Sequence, residues 1–136
     1  MYMTKLSNNG SAMLMVVFII ALLSALVIGM LQINTEQLQI MNNQVYAVDA
    51  LTLAEAGLNN VFSVIRTDSS WAFPVFGNFN GGVYIATISG GLPNRTIEVE
   101  AVSAQSYTSN IVAEITIGTS SPYAIRIDEL TINEKD

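Results

Sequence analysis

The stretch Ser11–Ile33, SAMLMVVFIIALLSALVIGMLQI, decides how the rest of the chain is read. No charged residue lies between Lys5 and Glu36, and from Ser11 to Leu31 only two serines and one glycine interrupt the apolar side chains. A helix over those residues rises roughly 30 Å, about the thickness of a bilayer's hydrocarbon core. The stretch therefore predicts a membrane span. A cleavable secretory signal has a shorter apolar region, about 7–15 residues, so loss of the whole segment is not the expected processing.

Working outward, the remainder has the composition of one small domain. Setting aside the first 33 of 136 residues leaves 103, enough for one thin core but not for two domains. Cysteine and histidine are both absent, which removes disulfides, thiolate metal sites and the usual imidazole base. Eleven acidic against five basic residues give a net charge of −6, which offers no attraction to a nucleic-acid backbone. Of the two lysines, Lys5 and Lys135, each lies near a chain end. Paired carboxylates occur at Glu98 with Glu100 on one strand face and at Asp128 beside Glu129; solvated strand edge and turn is the plainer reading of both. No catalytic, cofactor-binding or metal-binding residues are expected, and no enzyme is predicted.

On the N-terminal side, MYMTKLSNNG is polar, carries Lys5 and ends in Gly10 directly before the apolar run. Lys5 would hold the N-terminus cytoplasmic and send the remainder across the membrane. Such a leader, cut between Gly10 and Ser11, resembles that of type IV prepilins. The resemblance implies removal of residues 1–10 by a membrane-embedded prepilin peptidase and methylation of the new N-terminus at Ser11. One departure is Met15, at the fifth mature position, where most prepilins carry a glutamate thought to pair with a neighbour's terminal amine. Within that family its absence is most familiar in low-abundance subunits at or near a filament tip.

On the C-terminal side, helical character continues. No proline occurs before Pro74, and the apolar positions Met41, Val45, Val48, Leu51, Ala54, Leu58, Val61 and Ile65 are spaced by three and four. One helix from Ser11 to about Arg66 is expected, roughly 80 Å long. Its first half, 11–33, would pack in lipid or against copies of itself, and its second half, 34–66, would present a stripe to a head domain.

The segment NTEQLQIMNNQVYAVDALTLAEAGLNNVF adds a second resemblance, to PilX-like minor pilins. The matching elements are Thr35 with Glu36, Asn42, and Leu53, Ala54, Glu55, Ala56, Gly57 and Leu58. The resemblance implies assembly contacts through Met15, Thr35, Glu36, Ala54, Glu55 and Gly57. Beside it stands the plain reading: Ala54, Ala56 and Gly57 allow close helix approach, and the two glutamates are solvated.

Residues 67–136 form the expected head. TDSSWAFPVFGNFNGG reads as an irregular connection whose Trp71, Phe73, Phe76 and Phe79 cap the core; an exposed aromatic patch for a partner is the alternative. From Val83 the period becomes two, in VYIATIS, TIEVEAVSA, NIVAEITIG and YAIRIDELTIN. About four antiparallel strands with one apolar and one wet face are predicted, covered by the helix. The fold class is α+β, the layout the resemblance implies for a type IV pilin. Asn94 opens Asn-Arg-Thr at what reads as a turn.

The function these readings imply is a non-catalytic minor pilin or pseudopilin of a type IV pilus, type II secretion or related filament. Its partners would be other pilins or pseudopilins, prepilin peptidase, the inner-membrane assembly machinery and, before assembly, the lipid bilayer. Its location would be the bacterial inner membrane, single-pass, with the head extracytoplasmic. The alternative is an uncleaved single-pass binding module with the same topology.

Overall fold

A computed structural model describes residues 9–135. The leader residues 1–8, including Lys5, and the terminal Asp136 lie outside the described residues. The described residues comprise one helix, α1 (Asn9–Thr67), followed by five strands: β1 (Val75–Phe79), β2 (Gly82–Ser89), β3 (Asn94–Val102), β4 (Thr108–Ile117) and β5 (Ile125–Lys135). It divides into two compact units, residues 1–41 and 42–136.

In the first unit, α1 is exposed along its length from Gly10 to Met41, with only Gly29 half-exposed. From Gly10 it is long and apolar enough to cross a membrane. The hydroxyls here are satisfied locally: Ser24 Oγ donates to the Ile20 carbonyl at 2.8 Å and Thr35 Oγ1 to that of Leu31 at 2.9 Å. Back-bonding of this kind lets a hydroxyl sit in hydrocarbon without an orphaned donor.

In the second unit, α1 covers one face of an antiparallel sheet of order β1-β2-β3-β4-β5. The alternation expected from Val83 onward is present. Tyr84 and Ala86 of β2, Ile97, Val99 and Ala101 of β3, and Ile111, Ala113, Ile115 and Ile117 of β4 face α1 and are buried. From the helix come Ala50, Leu53, Ala54, Leu58, Val61 and Ile65.

The helical stripe differs from expectation in its first third. Met41, Val45 and Val48 are 59, 54 and 58% exposed, while Ala50 and Leu53 replace them at the sheet. The reason is geometric. Consecutive residues turn by about 100°, so a step of three falls about 60° short of a full turn, and the three successive steps from Val45 to Ala54 swing round to the opposite side. Mixed steps of three and four, as in Ala50, Ala54, Gly57, Val61 and Ile65, hold one face.

The strand count is also corrected, from about four to five. The extra strand, β1, lies inside the stretch expected to be irregular. Its partner register runs from Val75 opposite Ala86 to Phe79 opposite Gly82. The turn between them is Asn80-Gly81, with φ of 50° and 80°. Two consecutive residues in that region make the tight hairpin turn whose twist matches flanking strands, and Asn-Gly is its preferred sequence. Pro74, directly before the strand, is where a missing N–H does no harm.

The clustered aromatics do not cap the core. Phe73, Phe76 and Phe79 are 69, 66 and 66% exposed, and Trp71 is half-buried. Trp71 stacks edge-on against Phe73 at 5.6 Å and donates from Nε1 to the Phe73 carbonyl at 3.0 Å, so the pair stabilises the connection itself. Asn94 opens β3 and pairs with Thr116; it is not a turn residue. Asp128 and Glu129 likewise lie within β5. The outer sheet face is less uniformly wet than expected, since Val83 and Ile85 stand on it beside Phe76, at 52 and 45% exposure.

Candidate assembly and processing sites

Gly10 and Ser11, the residues expected to flank the processing bond, occupy the first helical turns of α1 and are exposed. Among the described residues, and leaving aside the helix's own neighbouring backbone, nothing lies within 4 Å of where a Cβ on Gly10 would stand. Packing among the described residues does not demand glycine there. Met15, a turn further on, is 70% exposed among Leu14, Val16, Phe18 and Ile19, which are also more than half exposed. Thr35 and Glu36 are exposed as well.

The Ala54–Gly57 segment is divided by the helix. Glu55 and Ala56 point outward, whereas Ala54 and Gly57 are buried against the chain's own sheet. A Cβ added to Gly57 would stand 2.7 Å from Tyr84 Cδ2 and 2.8 Å from Val99 Cγ1. Close approach is therefore made between α1 and β2–β3 of the same chain, and the outward residues among those expected at an assembly surface are Met15, Thr35, Glu36 and Glu55.

Sequence reading missed the groups that pin helix to sheet. Tyr84 stands beneath Gly57, its ring also filling the space a Gly77 side chain would need, and its hydroxyl accepts from Asn60 Nδ2 at 2.8 Å. Nearer the start of the unit, Tyr107 donates to Asn43 Oδ1 at 2.7 Å and packs against Tyr46 with ring centroids 5.6 Å apart. Tyr84 alternates in VYIATIS with the equally apolar Val83 and Ile85, so the strand does not declare its inward face, and Tyr107, in the QSYTS turn, carries no signal.

The two carboxylate pairs are occupied structurally. Glu98 and Glu100 lie on the outer face, and Glu98 Oε1 accepts from Asn110 Nδ2 at 3.1 Å. Asp128 is the extra residue of a bulge, since Glu114 pairs with Glu129 and Ile115 with Ile127. Its carboxylate accepts from Thr116 Oγ1 at 2.5 Å and pairs with Arg126 Nε at 2.6 Å. The Thr116 hydrogen bond, then Arg126, holds its pKa below the usual 3.8. Asp68, just past α1, is lowered likewise by hydrogen bonds from the Ser70 hydroxyl at 2.5 Å and the Ser70 N–H at 2.9 Å, with Arg95 adding a smaller attraction. Arg95 itself is buried and donates to the Trp71 carbonyl, tying the connection after α1 to β3.

Among the described residues no group of three or more histidine, cysteine or acidic side chains is placed to hold a metal ion. A cavity of about 170 Å³ between α1 and the strand turns has a single carboxylate, Asp49, in its lining. One acid without a second titratable group beside it gives no acid–base pair. Comparison with protein-family models, curated proteins and solved structures yields no match for this chain.

Proposed function

We propose that this chain is a minor pilin or pseudopilin, a non-catalytic subunit of a type IV pilus, type II secretion or related filament. It is inserted with its N-terminus cytoplasmic, cut between Gly10 and Ser11, methylated at Ser11, and assembled through α1. The observation that carries this reading is the double use of one helix. Within Asn9–Thr67, a charge-free run fit to span a membrane precedes a stripe that anchors a five-stranded sheet. A simple tether needs only the first of these. The exposed apolar run supports a helix that exchanges lipid contacts for contacts with neighbouring subunits, at little cost because both surroundings are apolar.

Met15 supports a low-abundance place. A carboxylate in hydrocarbon costs several kcal/mol unless partnered, so methionine there removes both that cost and a pairing contact. The other reading, an uncleaved binding module, is supported by the exposed Phe73, Phe76 and Phe79. Co-expression with a prepilin peptidase separates the two. The expected product lacks the ten-residue leader and begins at Ser11 by mass spectrometry, and Gly10→Ala blocks the cut. An intact leader in that experiment removes the pilin reading in favour of the tethered module.

A further inference from the structure

Among the described residues the sheet has two unpaired edges, one along β1 and one along β5. Both carry apolar side chains on the face toward α1 that α1 leaves uncovered. Phe79 of β1, opposite Gly82, is 66% exposed; Leu130 and Ile132 of β5, opposite the buried Ala113 and Ile111, are 47 and 45% exposed. Edges of natural sheets are usually blunted by short strands, bulges, proline or charge. Here β1 is short and follows Pro74, and β5 has one bulge, at Asp128, beyond which the backbone of Glu129–Lys135 runs in regular register with β4.

We propose that two copies of this chain adjoin edge to edge, β1 of one copy adding to the Glu129–Lys135 part of β5 in its neighbour. This rests on the filament reading above. The topology sets the direction. In a five-stranded antiparallel meander β1, β3 and β5 run the same way, so a neighbour brought alongside without inversion, as in a helical filament, offers β1 parallel to β5.

The side-chain pattern fits that contact. On the α1 side, Val75 and Phe79 of β1 continue the row of Leu130 and Ile132. On the outer side, Phe76 and Asn78 meet Glu129 and Thr131 with no like charge. A five-residue edge covers well under the roughly 800 Å² per partner of a standard stable interface. The pair therefore forms where shared anchorage raises the effective concentration, not between dispersed copies.

The chain has no cysteine, so introduced thiols report without background. Full-length chain carrying Asn78→Cys with Thr131→Cys, or Phe76→Cys with Thr131→Cys to allow for register, is co-expressed with a prepilin peptidase and a filament assembly system, then oxidised in membranes and in sheared filaments. Covalent dimers are expected from at least one pair, with a several-fold loss on adding Phe79→Lys and unchanged far-ultraviolet circular dichroism. Filaments containing chain that begins at Ser11 but giving no dimer from either pair overturn the edge contact and leave the filament reading standing. If Ser11 is never exposed, the filament reading fails by itself; dimers in the unprocessed membranes still support the edge contact, and their absence overturns it.

Discussion

Tyr84 occupies the space that a side chain on Gly57 would need: a Cβ there would stand 2.7 Å from its ring. Gly57→Ala therefore sets two effects against each other. Alanine gains about 1 kcal/mol of helix propensity, while overpacking a closed contact costs about 1–3 kcal/mol. Val99 Cγ1 also stands 2.8 Å from that Cβ, so two packed side chains would have to shift, and a net loss of head stability is expected. Chemical denaturation of the full chain in detergent measures it, and Gly57→Ala with Tyr84→Leu should recover part of the loss.

The displaced stripe separates core from surface on one helix. Ile65→Ala, at a position with no exposure, should cost about 2–5 kcal/mol through lost burial and the cavity left behind. Val45→Ala and Val48→Ala, both more than half exposed, should change head stability by no more than about 0.5 kcal/mol. Equal losses at all three positions in the same denaturation experiment would contradict the observed face.

The hairpin between β1 and β2 depends on the left-handed backbone at Gly81. Gly81→Val places a β-branched side chain at φ +80°, a strain of about 1–2 kcal/mol. Amide exchange should quicken at Val75–Phe79 while Ile97–Ala101, in the sheet centre, keep their protection.

Acid stability follows from the two lowered carboxyls. Asp68 and Asp128 both have folded pKa values below the ordinary 3.8. Their contribution is complete above the unfolded pKa and is lost as pH falls through the folded value, because the unfolded chain takes up protons first. Asp68→Asn and Asp128→Asn should each lower stability at neutral pH and converge on the parent as the solution is acidified below that range. Thermal melting across a pH series measures the convergence. Both groups are solvent-exposed, so added salt should shrink the Arg126-dependent part at Asp128.

Much of the head was legible because alternation is a local signal. Ile97, Val99 and Ala101, or Ile111, Ala113 and Ile115, declare their face without reference to any other strand. The helical stripe was half legible: any spacing of three or four fits a helix, but only the accumulated rotation says which side of it, and Val45 and Val48 satisfied the first condition while failing the second. Strand β1 is hidden in the sequence because Pro74, the glycines and the aromatics outweigh Asn80-Gly81, the dipeptide that marks its hairpin. The fit of Tyr84 under Gly57, and the bond from Tyr107 to Asn43, are complementarities between distant positions, which no local pattern carries. The sites expected on α1 were legible as exposed or apolar residues; that Ala54 and Gly57 face inward follows only from where the sheet lies.

The uninterrupted meander has a consequence for how the head is made. Every strand pairs only with its neighbours in sequence, so the sheet can grow in the order in which the chain is synthesised, each hairpin closing a short loop at modest entropic cost. The helix stripe is already present when β2 arrives to bury Tyr84 against it. Folding can thus begin while the C-terminal residues are still being synthesised, and the last strand to form, β5, leaves an open edge.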